Sequence, residues 1–230
     1  SNLSCPSSTR VALGLGMGLP ASEILSLYKE QGPIIFKQNN HPFINKALGF
    51  IRLTRQGYRR KYSPEALRGA LEEDPGPLKG LRIGHSKTRL LIPAWNPTAR
   101  KVYIYKTPHH PRLRTDYKAK AVDAAMATAA APTYFPQHVT ENQVGLFDGG
   151  VWANNPIALA VVEALTLLQW PADDLYILSL GCLEETYSLP KQGGLASLGL
   201  KMADLFMDGQ SKGAHGMAKL LTGDEHEQKA

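Results

Sequence analysis

The chain has 230 residues, 43% of them hydrophobic and 20% charged, which is the balance of a globular domain with a buried core. Its two cysteines exclude a disulfide framework, and no apolar run is long enough to cross a bilayer. The net charge of +6 favours an anionic partner. With no signal peptide in residues 1–4, a reducing, cytoplasmic location is expected.

Part of the positive charge is clustered in two short segments. A solvated face is one interpretation of such clusters, and binding of a negatively charged lipid headgroup is another. The chain has no zinc-finger or RNA-recognition core motif, so no nucleic-acid partner is predicted. The two clusters consist of Arg52, Arg55, Arg59, Arg60 and Lys61, and of Arg112, Arg114, Lys118 and Lys120.

The first third of the chain predicts helices. Residues 11–19 are apolar with alternating glycines, which would let a helix lie close against a sheet. Residues 20–30 predict a helix that is stopped by Gly32 and Pro33. Residues 63–71 predict another, with a serine cap and a proline in its first turn.

The middle of the chain predicts a hairpin. Residues 88–95 and 101–106 are rich in branched and aromatic side chains, and Asn96-Pro97 between them is a turn signal. The adjacent His109 and His110 would point to opposite faces of an extended chain, so they do not predict a metal site.

Helices and buried strands alternate in the remainder, which predicts an α/β domain with a mainly parallel central sheet flanked by helices. The predicted domain covers residues 11–230, preceded by an atypical segment of residues 1–10. The elements are a small-residue helix (122–131), a short strand (144–147), a helix capped by Asn155 (156–168), a buried parallel strand (174–180) and a long helix (195–221).

The strand at residues 144–147 runs into Asp148, Gly149 and Gly150. A carboxylate at a strand end can accept a proton from a nucleophile, and glycines leave room for a substrate beside it. Taken alone, the same tripeptide is also a common tight turn.

The sequence around Asp148 resembles the patatin family of lipid acyl hydrolases. Residues 127–156 read ATAAAPTYFPQHVTENQVGLFDGGVWANNP, and only Gln137 departs from the family pattern, which often has proline there. KTRLLIPAWNPTARKVYIYKTPHHPRLRTDY upstream resembles the family's central hairpin, and ASEILSLYKEQGPIIF resembles its helix after the nucleophile. The resemblance implies a patatin-like layered fold, here truncated at the N-terminus.

The resemblance also implies a reaction, namely hydrolysis of acyl esters through a Ser–Asp dyad and an acyl-enzyme, with no cofactor and no metal. It implies that Asp148 is the general base and that Gly149 and Gly150 shape the turn beside the substrate. Trp152 and Asn155 are expected to pack and to cap. The implied substrate is a phospholipid or other acyl lipid, with peripheral contact to a membrane surface.

The family's nucleophile lies in a Gly-x-Ser-x-Gly elbow, and here the segment ahead of residue 11 reads SCPSSTR. Counting without gaps places Pro6 at the nucleophile, whereas a shift of one residue places Ser7 there. The chain is therefore expected to lack an intact elbow and the glycine-rich segment of the oxyanion hole. Two interpretations stay open: an acyl hydrolase, or a catalytically inactive or truncated lipid-binding relative. The oligomeric state is not predicted.

Overall fold

The computed structural model describes residues 8–36, 62–73, 76–132, 134–181 and 202–223. Ser7, both cysteines and the basic cluster at residues 52–61 lie outside this part of the chain. The helices are α1 (Ser8–Gly16), α2 (Ala21–Ile35), α3 (Pro64–Glu72), α4 (Ala121–Ala127), α5 (Gly150–Ala153), α6 (Ile157–Val162) and α7 (Met202–Leu221). The strands are β1 (Leu91–Asn96), β2 (Lys101–Lys106), β3 (His138–Val139) and β4 (Gly145–Asp148).

The described strands form one sheet in the order β2-β1-β4-β3. Every pairing within it is antiparallel, so the expectation of a mainly parallel sheet is corrected for this part of the chain, while the α/β class stands. The short β1–β2 connection dictates an antiparallel pair, since parallel neighbours need a long crossover. β4 then pairs on the other edge of β1, with Asp148 opposite Ala94.

The predicted hairpin is confirmed, and its turn depends on the side chain of Asn96 and the backbone of Arg100. The Asn96 Oδ1 atom accepts a hydrogen bond of 2.9 Å from the Ala99 amide, which stabilises the first part of the turn. Arg100 closes it with a φ of 52°, in the left-handed region.

The core lies between this sheet and the helices around α4. Every residue of α4 is buried, and its small side chains allow α1, α3 and the sheet to approach it closely. The largest fully buried side chains of the sheet are Tyr105, Ile92 and Leu146. A buried apolar layer of this kind is the main source of folding free energy.

The helix boundaries differ from the sequence expectation in α2. The helix continues through Gly32 and Pro33 to Ile35 instead of stopping before them. Pro33 lies in the last turn, so it removes only one backbone hydrogen bond, and the buried Ile35 beyond it retains its packing. The side chain of Ser63 forms no cap on α3; its hydroxyl donates to the Glu65 carboxylate at 2.5 Å.

The predicted buried strand at residues 174–180 is wrong for the described structure. Residues 175–181 form no strand, and Tyr176, Leu178 and Leu180 are largely exposed. Among the described helices, none combines the length and the apolarity that a bilayer crossing requires.

Candidate active site

Asp148 is the last residue of β4 and is held there by its backbone. Its amide donates a 3.0 Å hydrogen bond to the Ala130 carbonyl, in the segment that follows α4, and its partner across the sheet is Ala94. The half-buried carboxylate accepts a hydrogen bond of 2.8 Å from the Gly150 amide, at the start of α5. Strand, turn and helix therefore hold the Asp148 carboxylate in place through one of its oxygens.

The two glycines after Asp148 have different tasks. Gly149 is buried, and a Cβ atom added to it would overlap the backbone carbonyl of Pro93 in β1. A Cβ atom at Gly150 would meet its nearest neighbour, the Asp148 carboxylate, at 3.4 Å, which is near ordinary contact. Gly149 thus allows the turn to lie on β1, whereas Gly150 mainly leaves space beside the carboxylate.

Side chains on α5 and beyond anchor this turn, as the sequence predicted for Trp152 and Asn155. The Trp152 indole donates a 2.9 Å hydrogen bond to the Ala94 carbonyl, and the Asn155 side chain accepts one of 3.1 Å from the Ile157 amide. The Asn154 amide donates to the Gln210 side chain at 2.6 Å, which ties α7 to the same turn.

A buried polar pair supports the sheet edge nearest to this turn. His138 on β3 donates a 2.9 Å hydrogen bond through Nε2 to Asp123 on α4, whose other oxygen accepts the Glu141 amide at 3.0 Å. Burial raises the pKa of Asp123, but these hydrogen bonds and the charge of Arg68 outweigh it, so the pKa lies below its ordinary value.

A cavity of about 240 Å³ lies between α3 and the segment after α4. Its wall includes Ala130, whose carbonyl accepts the hydrogen bond from the Asp148 amide, but it does not include Asp148 itself. Polar and apolar groups share the remaining wall, which includes Arg68, Gln137, Leu67, Met126 and Phe135. Such a mixed lining fits a ligand with both a polar and an apolar part.

A second polar network, which no pattern in the sequence indicated, joins β2 to the turn of π-helix (Glu163–Leu167) after α6. The Glu163 carboxylate binds Lys106 at 2.7 Å and His109 at 3.0 Å. Burial raises the pKa of Glu163, and the hydrogen bonds from both partners more than offset this, leaving it below its ordinary value. The sequence feature nearest to this network is His109, two residues after Thr107. A histidine at that position does not indicate that a carboxylate far along the chain will bind it.

The structure describes three of the four predicted site residues. Asp148, Gly149 and Gly150 come together in one turn, whereas Ser7 lies outside the described residues. A Gly-x-Ser-x-Gly does occur at residues 209–213, centred on Ser211, and was not predicted as a site. This serine is inside the continuous helix α7 and not on a strand-to-helix elbow. In the described part of the chain, no group of histidine, cysteine and carboxylate side chains could hold a metal ion.

The chain is similar to one protein family and to several known proteins. The patatin-like phospholipase family model matches residues 11–161, which include the hairpin, α4 and the Asp148 turn. A cGAMP-activated phospholipase of Pseudomonas aeruginosa is 37% identical over 175 residues, which are 75% of this chain and 49% of that protein. A protein of the same name from Vibrio cholerae is 34% identical over 187 residues, covering 78% of this chain and 51% of the relative.

Plant proteins are also similar. Patatin-like protein 2 of Arabidopsis thaliana is 30% identical over 167 residues, which are 68% of this chain and 38% of that protein. The chain thus spans about half the length of the bacterial relatives and less of the plant one. Since the family match covers well over half of the chain and includes the strand and turn that position Asp148, the chain belongs to the patatin-like phospholipase family.

Proposed function

We propose that this protein hydrolyses acyl esters of phospholipids or related acyl lipids, with Asp148 as the general base. The observation that carries the proposal is the half-buried Asp148 carboxylate, fixed at the end of β4 by the Gly150 amide. A base that is held in place before the substrate arrives costs little reorganisation during the reaction. The family membership and the names of the bacterial relatives support the same reaction class.

We assign the nucleophile to Ser7. Its hydroxyl oxygen would attack the acyl carbonyl carbon while its proton passes to Asp148, giving a tetrahedral intermediate. Collapse of this intermediate expels the alcohol, which takes the proton from Asp148 and leaves an acyl-enzyme. Water then attacks the acyl-enzyme with its proton passing to Asp148, and the fatty acid leaves as Ser7 regains its proton.

We assign the space beside the carboxylate, which Gly149 and Gly150 keep open, to the ester group of the substrate.

The domain is proposed to continue beyond residue 161 to residue 230, because α7 packs against α5 and α6. The protein is proposed to act from the cytoplasm on a membrane surface to which it binds peripherally. A cofactor has no role in this scheme, because the serine and the aspartate carry every bond-making and proton-transfer step.

The alternative is a protein that binds lipid without hydrolysing it. It is favoured by one observation, the sequence SCPSSTR ahead of residue 11 in place of a Gly-x-Ser-x-Gly elbow. Thr9, where the second glycine belongs in the register that aligns Ser7, carries a branched side chain that a sharp elbow accommodates poorly.

The test is phospholipid and p-nitrophenyl ester hydrolysis by this chain, by the full product of its gene, and by three variants. Asp148→Asn keeps the size of the side chain and is expected to lower kcat by at least about a thousandfold without changing the circular dichroism spectrum. Ser7→Ala is expected to do the same. Ser211→Ala, the matched control in a Gly-x-Ser-x-Gly that lies within a helix, should keep full activity.

Full activity in Asp148→Asn would disprove the proposed base, and loss of activity only in Ser211→Ala would move the nucleophile to α7. Vesicle binding without any hydrolysis by the full gene product would establish the alternative. The assay is run with and without cGAMP, because two relatives with at least 34% identity are named for activation by it. We expect cGAMP to raise the hydrolysis rate of the full gene product.

A further inference from the structure

Helix α7 exposes an apolar face. Phe206, Met217 and Leu220 are 63%, 54% and 57% exposed. Residues three or four positions apart lie on one side of a helix, and the positions between these side chains on that side are glycines. The face therefore consists of Phe206, Gly209, Gly213, Gly216, Met217 and Leu220, and we call it the α7 apolar face.

No other described part of the chain covers this face. A Cβ atom added at Gly209, Gly213 or Gly216 would meet nothing within 4 Å in the described structure. The side of α7 that packs on α5 and α6 instead buries the small residues Ala214 and Ala218. The helix thus turns several of its large apolar side chains outward, against the usual arrangement of a surface helix.

The α7 apolar face lies beside the candidate active site. Gln210, one position after Gly209, accepts the hydrogen bond from Asn154, which directly follows α5. Val151 on α5, three residues after Asp148, is itself 49% exposed. The apolar surface and the carboxylate are therefore presented by elements in direct contact.

We propose that the α7 apolar face is the surface by which the protein docks on a lipid bilayer, which rests on the proposed hydrolysis of acyl lipids. From Phe206 to Leu220 the face is about 21 Å long, enough to lie in the interface as an amphipathic helix does. The charges agree with an anionic bilayer: Lys212 is paired with Asp208 at 3.1 Å, Lys219 adds a positive charge near the end of the helix, and the whole chain carries +6.

A bilayer fits this face better than a helix of a second copy. The large side chains stand at its two ends with glycines between them, and a fluid acyl layer fills such a gap without needing a complementary shape. A second copy would have to provide matching bulk at the gap, and dimerisation is therefore the competing outcome of the test.

The experiment is cosedimentation of the full chain with vesicles of equal parts phosphatidylcholine and phosphatidylglycerol. The test variant combines Phe206→Gln, Met217→Gln and Leu220→Gln, which keep good helix formers at exposed positions. The control combines Leu25→Gln and Ile34→Gln on α2, whose side chains are 53% and 58% exposed. Thermal melts and circular dichroism check that all three proteins are folded.

The test variant is expected to bind vesicles about a hundredfold more weakly, since each side chain loses a part of its burial in the interface. The control should bind like the wild-type protein. Equal binding by the test variant, or an equal loss in the control, would overturn the docking surface. So would a wild-type dimer that does not bind vesicles and that the test variant converts to monomer in light scattering.

Hydrolysis of a soluble short-chain ester by the same proteins separates this inference from the proposed function. Hydrolysis without vesicle binding would disprove the docking surface and support the proposed ester hydrolysis. Vesicle binding that depends on the α7 apolar face, without hydrolysis of any ester, would support the docking surface and disprove the proposed ester hydrolysis.

Discussion

Two stretches of this chain have the same apolar, strand-like composition and opposite surroundings. In β1 and β4, Ile92, Ala94 and Leu146 are each 0% exposed. In residues 175–181, Tyr176 is 100% and Leu178 is 81% exposed. Composition alone would place both in the core.

The difference lies in their hydrogen-bonding partners. β1 pairs with β2 along its whole length and with β4 at Ala94 and Trp95, which satisfies these backbone groups and lets the side chains be buried between sheet and helices. Residues 176–181 make no backbone hydrogen bond to any other described residue. An apolar run thus becomes a core strand only where neighbouring strands pair with its backbone.

The most severe test of the buried region is Gly149→Ala, with Gly150→Ala as its control. The added methyl group at position 149 overlaps the Pro93 carbonyl, which cannot move without disturbing β1. We expect a loss of about 4 kcal/mol in unfolding free energy, or about 10 °C in Tm, together with loss of activity. Gly150→Ala should cost less than about 1 kcal/mol. Equal effects in thermal melts would show that β4 does not approach β1 as closely as the structure has it.

Truncation of one leucine in each region measures their contrast directly. Leu146→Ala empties space in the core and should lower the free energy of unfolding by about 3 kcal/mol in urea titrations. Leu178→Ala removes an exposed side chain and should change it by less than about 0.5 kcal/mol. A cost above about 1 kcal/mol for Leu178→Ala would mean that residues 175–181 are covered in solution.

The hydrogen-bonded pair of Asp123 and His138 should make the stability of the buried sheet sensitive to acid. Asp123→Asn is expected to cost about 2 kcal/mol at neutral pH, since the charge-assisted hydrogen bond to His138 is lost. Because the pKa of Asp123 is lowered in the fold, its contribution is present above the ordinary carboxyl pKa and is lost as the pH falls through the folded value. Wild type and variant should therefore converge in stability at acid pH.

Asp116 is a carboxylate whose pKa is shifted in the opposite direction from that of Asp123. Burial raises its pKa, and its hydrogen bonds and the charge of Lys106 only partly oppose this. Asp116→Asn should therefore leave stability at neutral pH unchanged or raise it by up to about 1 kcal/mol, and the difference should vanish at acid pH. If Asp116→Asn destabilises as much as Asp123→Asn, the two carboxylates are not distinguished by their surroundings.

The sequence predicts what depends on neighbours along the chain. The hairpin around Asn96 and the turn at Asp148 are local, and each is confirmed. The Asn155 side chain accepts a hydrogen bond from the Ile157 amide, but the helix begins one residue later than predicted, with Pro156 as its N-cap residue. The sequence does not predict which strands pair, because pairing of β4 with β1 joins residues far apart in sequence. For the same reason the contact of Glu163 with Lys106 and His109 was missed.

The exposure of Phe206 was also not predictable, because an apolar residue in a helix is ordinarily buried. The same limit applies to the candidate site. The turn of Asp148 with its two glycines was predicted from the sequence, and the role of Asp148 as a base stays a prediction, whereas the approach of α7 to this turn depends on a contact between residues 154 and 210.

A small effect is also expected from one tyrosine in the buried part of the molecule and one in the exposed part. The Tyr105 hydroxyl is buried and has no hydrogen-bond partner among the described residues, so Tyr105→Phe should raise the free energy of unfolding by about 1 kcal/mol. Tyr176→Phe, at a fully exposed side chain, should change nothing measurable. Burial, followed by the proximity of Tyr103, Asp123 and Asp116, raises the pKa of Tyr105 far above its ordinary value.

An acid whose pKa is raised in the fold contributes stability below its unfolded pKa and loses it as the pH rises. The wild-type protein should therefore lose stability above about pH 10 relative to Tyr105→Phe, so the gain of the variant should grow in alkaline urea titrations. A destabilised Tyr105→Phe would instead show that the hydroxyl has a partner in solution, and that the buried region is completed by a polar contact as well as by packing.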